Sequence, residues 1–214
     1  MTANNDGLIA VGQAANATEV WLTRPGRISN IVTNSRRAMV EMVSKSLPDQ
    51  RDPTSGFQIV ELSDRPDFAE EVAQINFRQW AEFSDLSLDE MRKQFAPRPQ
   101  GEVLPVTFLA MSQGEVKALV SLRQTSLGAV AHPNVYLPGV EPWLSNMWVA
   151  ESARGHKLAT RLSIMVENRA RELGYTLLYS STAMENSLYH AIGFRTIAVR
   201  EHKGAPVYII RKEI

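Results

Sequence analysis

The sequence predicts a mixed α/β fold in which a mostly antiparallel central sheet is flanked by helices. Three observations point there. Residues 106–123 read as two apolar strands joined by "SQG", the pattern of a hairpin. Residues 156–173 carry Leu158, Leu162, Met165, Val166 and Leu173 on one face, the spacing of an amphipathic helix. The predicted order is strand, helices, three strands, helix, strand, helix, two strands, and the helix between two strands allows a parallel crossover.

Taken in order, residues 1–28 are rich in Ala, Asn, Gly and Thr and show no sustained period, apart from a short strand near "TEVWLT". A helical pattern follows from Ser29, with Ile31, Val32, Met39, Val43 and Leu47 near one face. We read residues 1–55 as an N-terminal extension with one amphipathic helix packed on the main domain; a partner-binding or homodimer face is the alternative. "PDQRDPTSG" is a linker. The main domain, residues 56–214, opens with a strand over 57–62. Ser63 or Asp64 is placed to cap a helix carrying Phe68, Val72, Ile75 and Trp80. "SLDEMRKQF" is a second, short helix ended by Pro97 and Pro99. After the hairpin, residues 126–142 read as a long loop of little period, and long loops in compact domains are often functional. "WLSNMWVA" is the third of the consecutive strands, and Gly174 is placed to stop the long helix. "YTLLYSS" is a strand, "MENSLYHAI" a short helix, and two strands close the chain.

Composition narrows the function. The 23 basic and 23 acidic residues cancel, so a protein built to coat nucleic acid is not expected. The absence of cysteine excludes disulfides, thiolate metal sites and a cysteine nucleophile. The four histidines have no metal-ligand spacing, so no metal is expected. No apolar run is long enough to cross a bilayer and no secretory signal is evident, which predicts a cytoplasmic protein without a membrane partner.

The chemistry points to "WLSNMWVAESARGHKLATRL", a strand, a short polar turn and a helix. The first N–H groups of a helix lack intrahelical acceptors and sit at the positive end of its dipole, a ready anion site. Basic residues in that first turn cost roughly 0.3–1 kcal/mol unless an anion is bound there. Arg154 and Lys157 are such residues, so the turn is read as anion-binding, with solvated surface charge as the alternative. The patterns of a triphosphate loop and of a dinucleotide loop are both absent.

"VAESARGHKLATRL" followed by "ENSLYHAIGF" resembles the GNAT superfamily of acetyl-CoA-dependent N-acetyltransferases. Its signature is [RQ]-x-x-G-x-[GA]. Arg154, Leu158 and Ala159 fit, while Lys157 stands where the middle glycine belongs. Asn186, Tyr189, Gly193 and Phe194 match the downstream pattern.

The resemblance implies a GNAT-like acyl-CoA acyltransferase fold and an acyl-CoA-dependent N-acyltransferase that moves acetyl from acetyl-CoA (coenzyme A as cosubstrate) to an amine. It implies that Arg154, Gly155, His156, Lys157, Leu158, Ala159 and Thr160 hold the pyrophosphate. Met147, Trp148 and Val149 would meet the pantetheine arm through their backbone where the strands splay. Asn186 would contact the cofactor, and Tyr189 would be the general acid to the departing thiolate. A phenol, neutral at pH 7, suits that role. The general base is left open among Glu141, His132 and water alone. A non-catalytic GNAT-like domain that binds CoA or a protein partner is the second reading, supported by Lys157 and by the lack of a carboxylate on the strand.

Overall fold

The apolar run of β2 (Val106–Ser112) and that of β3 (Glu115–Arg123) form the hairpin at the centre of the fold. Between them Gln113 and Gly114 both take positive φ, 53° and 79°, as the tight two-residue turn of a twisted hairpin demands. Both strands are buried on both faces, which explains their continuous rather than alternating apolar pattern. The structure is a computed structural model that describes residues 56–214. The extension over 1–55 and its predicted helix and strand lie outside the described residues.

Around the hairpin, β1 (Gln58–Glu61), β4 (Trp143–Val149), β5 (Leu177–Thr182), β6 (Arg195–His202) and β7 (Ala205–Glu213) complete one sheet of seven strands. Its order is β1-β2-β3-β4-β5-β7-β6, and every pair is antiparallel except β4 with β5. That parallel pair is the crossover predicted from the sequence.

Helices cover both faces. On one face α4 (Leu158–Glu172) buries Leu158, Leu162, Met165 and Val166 against Phe108, Val120, Leu122, Leu144 and Leu178. Each such side chain contributes about 1.5–3 kcal/mol by leaving water. On the other face α1 (Ala69–Gln79) and α2 (Leu88–Phe95) set Val72, Ile75, Met91 and Phe95 on Leu109, Met111 and Leu119. Two buried acid–base contacts tie α4 to the sheet. Lys212 Nζ donates to Glu167 Oε1 at 2.6 Å, and Arg169 to Glu61 Oε2 at 3.1 Å.

Helix ends follow local chemistry. Ser87 and Glu90 form a reciprocal capping box on α2. At the end of α4, Gly174 at φ 85° lets its N–H reach Arg171 O while Tyr175 N–H reaches Ala170 O, the paired bonds of a Schellman stop.

Three expectations need correcting. Neither Ser63 nor Asp64 caps α1: two 3₁₀ turns, Leu62–Asp64 and Pro66–Phe68, intervene, and α1 starts at Ala69 with no side-chain cap. Pro66 starts the second turn, and Arg65 is spent on Asp67. Residues 126–142 are not irregular throughout: α3 (Leu127–Ala131) and a 3₁₀ turn, Pro133–Val135, lie within them. The long helix begins at Leu158 rather than His156, because Lys157 is left-handed. The last helix, α5 (Leu188–Ala191), is a single turn.

Candidate active site

β4 and β5 part almost as soon as they meet. Their ladder holds one residue pair, Trp143 with Tyr179. Tyr179 N–H donates to Pro142 O at 2.9 Å, and Ser180 Oγ donates to Leu144 O at 2.8 Å. Beyond Leu144 the edge of β4 that faces β5 has no ladder partner. The divergence has a local cause in β4. Leu119 pairs with Trp148 and Ser121 with Ser145, so Asn146 and Met147 together oppose Val120. Such a bulge bends its strand. Asn146 sits in it at φ 50°, a conformation asparagine tolerates better than most residues. Both polar atoms of its amide are buried without a hydrogen-bond partner. Met147 and Val149 pack against the α4 side of the core and Trp148 against the α1–α2 side, which leaves their backbone edge toward the gap.

β4 runs through the 3₁₀ turn Glu151–Ala153 into a loop with two left-handed residues, Gly155 (φ 84°) and Lys157 (φ 56°). Lys157 is the N-cap of α4. No side chain caps the helix, and Lys157 O already accepts from Arg161 N–H. The first-turn N–H groups of Leu158, Ala159 and Thr160 therefore point out of the helix with the positive end of its dipole. The left-handed backbone accounts for a glycine in the motif: a lysine there costs about 1–2 kcal/mol of steric strain. Arg154 is largely exposed and lies 3.5 Å from Glu151. His156 turns Nδ1 to the carbonyls of Ala153 and Arg154 and sets its ring edge-on to Phe57.

Tyr189 stands on α5, which follows β5, and packs against the α4 side of the core. Its helix is fixed by Ser187 and His190, which cap each other, and by His190 Nε2 against Thr196 Oγ1 at 3.0 Å. The Tyr189 ring packs edge-on to Phe194 at 5.7 Å. Burial pushes its phenol up to about 12, with a hydrogen bond to Ser180 working the other way. Ser180, bonded to the Leu144 carbonyl where the strands separate, is also the group that partly offsets the rise at Tyr189. The sequence reading did not single out Ser180; a small polar residue inside an apolar strand was the only signal. Asn186 is exposed in the turn between β5 and α5.

The two side chains considered as bases fall elsewhere. Glu141 is exposed at the closed, N-terminal end of β4, 3.4 Å from the Tyr175 hydroxyl. His132 Nε2 contacts Phe83 O at 2.9 Å. From the same 126–142 segment Tyr136 reaches across to β5: its hydroxyl is 3.3 Å from Ser181 Oγ and its ring is edge-on to Trp143. Among the described residues no three His, Asp or Glu side chains converge to hold a metal ion, and no helix is long and apolar enough to cross a membrane.

Comparison with known proteins follows this geometry. The model of the acetyltransferase (GNAT) family matches residues 69–194. A search of curated proteins finds no match. Among solved structures, a Bordetella pertussis protein assigned to the GNAT-family acetyltransferases superposes with a TM-score of 0.57 at 18% identity, over 78% of this chain and 99% of that one. Aminoglycoside 6′-acetyltransferase type Ii gives 0.54 at 17% identity, over 72% and 96%. The NatC complex bound to Gag peptide and CoA gives 0.51 at 15% identity, over 73% and 98%. At these identities the three agree on fold.

Proposed function

The chain belongs to the acetyltransferase (GNAT) family, and on that premise we propose that it transfers an acetyl group from acetyl-CoA to an amine, with Tyr189 as general acid. One observation carries this reading: beyond Leu144 the edge of β4 has no ladder partner toward β5, and the same strand runs on through Glu151–Ala153 into the uncapped start of α4. The same reading takes residues 56–214 as the transferase domain and 1–55 as an extension of it.

The donor set fits the cosubstrate. Backbone groups of Met147, Trp148 and Val149, lacking a strand on one side, are suited to an amide-bearing arm. The N–H groups from Gly155 to Thr160, with Arg154 and Lys157 beside them, are suited to a diphosphate. Asn186 would add a contact at the mouth. Acetyl-CoA supplies a thioester, whose C–S bond breaks as the C–N bond to the amine forms.

The side chains then have defined work. Tyr189 holds a proton on Oη that the departing sulfur takes. With its phenol at about 12, Tyr189 keeps this proton across the physiological range. The attacking nitrogen must already be neutral, and its second proton leaves to water, with Glu141 engaged by the Tyr175 hydroxyl and His132 by the Phe83 carbonyl.

Calorimetry with CoA and a transfer assay from acetyl-CoA to a panel of primary amines test the proposal. Arg154→Ala should weaken CoA binding, and more so at low salt. Tight CoA binding with no transfer to any amine would instead favour a non-catalytic CoA-binding domain.

A further inference from the structure

Three of the four histidines turn a ring nitrogen to a carbonyl. His132 and His202 both set Nε2 against Phe83 O, at 2.9 Å and 3.0 Å, with their rings 4.0 Å apart. His156 sets Nδ1 against the carbonyls of Ala153 and Arg154. A carbonyl only accepts, so each of these rings donates, and each bond survives a second proton on the ring. His190 is the exception. The Ser187 N–H donates to its Nδ1 at 3.2 Å, and the Ser187 hydroxyl lies 3.1 Å from the same nitrogen. A ring nitrogen that accepts a backbone N–H carries no proton of its own. The single proton of the neutral ring is therefore on Nε2, which donates to Thr196 Oγ1 at 3.0 Å.

Both ring nitrogens are thus satisfied in the neutral form and only in that form. A second proton would sit on Nδ1 and face the Ser187 N–H. The Ser187 hydroxyl can rotate to accept it, but the backbone N–H then has no acceptor. The bond at stake is half of the capping box of α5. That helix is a single turn of four residues, a length that depends on its cap and its packing. Tyr189 lies inside it, and the turn closes through Ile192 N–H on Leu188 O at 3.1 Å and Phe194 N–H on Tyr189 O at 3.0 Å. The charged positions around the ring are more basic than acidic. Glu185 lies in the turn before α5, Arg195 precedes Thr196 on β6 and pairs with Arg211 of β7, and Lys212 passes Gly193 and is held by Glu167 of α4. No hydrogen bond or ion pair among the described residues joins His190 to a carboxylate.

We propose that His190 is a positioning residue that couples transfer to pH: its neutral ring holds α5, and with it Tyr189, in place, and protonation uncaps the turn and withdraws the proton donor. The proposal rests on the acetyl-transfer reading above, in which Tyr189 is the general acid. Its sign follows from the geometry. The cap requires the neutral ring, so it is full at high pH and is lost as pH falls through the range in which imidazoles titrate, about pH 8 to 5.

The test compares full-length wild type with His190→Gln and His190→Ala across that range. Glutamine at this position of a capping box accepts the same N–H without titrating, whereas alanine removes the acceptor at every pH. Transfer is measured from acetyl-CoA to whichever primary amine of the panel above is used best, and variant-to-wild-type ratios cancel the protonation of the amine itself. His190→Gln should keep at least about a third of kcat at about pH 8, and its ratio to wild type should rise about fivefold or more by about pH 5.5. His190→Ala should be down about fivefold at about pH 8 and draw level with wild type by about pH 5.5. KM for acetyl-CoA should stay within about twofold throughout, since the start of α4 is untouched. NMR gives a readout independent of activity. At about pH 8 the ring nitrogen shifts of His190 should show the proton on Nε2, and amide protection of Ile192 and Phe194 should fall with pH in wild type but hold in His190→Gln. A proton on Nδ1 at that pH, or kcat and protection that follow one pH course in wild type and His190→Gln, overturns the inference alone. Absence of transfer by wild type to every amine overturns the acetyl-transfer reading, and the protection measurement then still decides whether His190 holds the turn.

Discussion

The hydroxyl oxygen of Tyr136 lies 2.0 Å from where a β-carbon on Gly128 would stand. The glycine is required by that contact, since its own φ is unremarkable for a helix. Gly128→Ala would drive the Tyr136 ring off Trp143 and break its contact with Ser181. We expect a loss of about 1–3 kcal/mol in urea unfolding. Tyr136→Leu in the same chain should restore most of it by removing the clashing atoms.

Tyr189→Phe keeps the ring against Phe194 and removes only the proton. CoA affinity by calorimetry should stay within about twofold, while kcat falls by about 10²–10⁴. The pH profile has a definite sign. The folded phenol is raised above its ordinary value, so the proton donor is lost only as pH climbs toward about 12. No alkaline limb from this group should appear below about pH 10. Its contribution to stability is likewise full below the unfolded value and declines between about pH 10 and 12. Alkaline denaturation should therefore be less steep in Tyr189→Phe.

Lys157→Gly separates backbone from charge. Relief of the left-handed strain should raise stability by about 0.5–1 kcal/mol, net of the added freedom of the unfolded chain. Loss of the ammonium beside the start of α4 should weaken CoA by about tenfold. Lys157→Asn, which suits the same backbone, should show the second effect. Unchanged affinity in both variants would remove Lys157 from the phosphate site.

Arg123 is buried at the end of β3 without a carboxylate. Its guanidinium bonds Gln94, at Oε1 (2.7 Å) and at the main-chain carbonyl (3.3 Å), lies 5.9 Å from the centre of the Phe95 ring, and leaves Nε without a hydrogen-bond partner. Burial holds its ordinary value down, to about 10. A charge enclosed at such cost predicts that Arg123→Met is neutral within about 1 kcal/mol or stabilising, read by chemical denaturation.

Much of the fold was legible because local pattern and burial agree. The hairpin over 106–123, the apolar face of α4 and the Gly174 stop each follow from residues adjacent in sequence. The assignment of the turn from Arg154 to Thr160 and of Tyr189 comes from the motif's resemblance to the family, and their roles belong to the proposal above. What spacing could not supply was register. Two residues of β4 facing one of β3 is a relation between strands, so the bulge at Asn146 left no local mark, nor did the meeting of Ser180 with Leu144. The left-handed Lys157 was hidden for the opposite reason: its side chain argues against the backbone it adopts. The contact of His202 with the Phe83 carbonyl joins positions 119 residues apart. No periodicity carries information over that distance, and two scattered histidines gave no reason to pair them.

The solitary Trp143–Tyr179 pair makes the sheet two panels hung on a hinge at one end. The rungs missing between the panels leave backbone groups of β4 beyond Leu144 without a ladder partner, which an amide-bearing molecule between them would meet. Such a guest would act as a splint, completing the sheet with its own atoms, so rigidity across the molecule would depend on occupancy. Melting temperature should then climb steadily with CoA concentration, following mass action, and amide exchange in β4 and β5 should slow together.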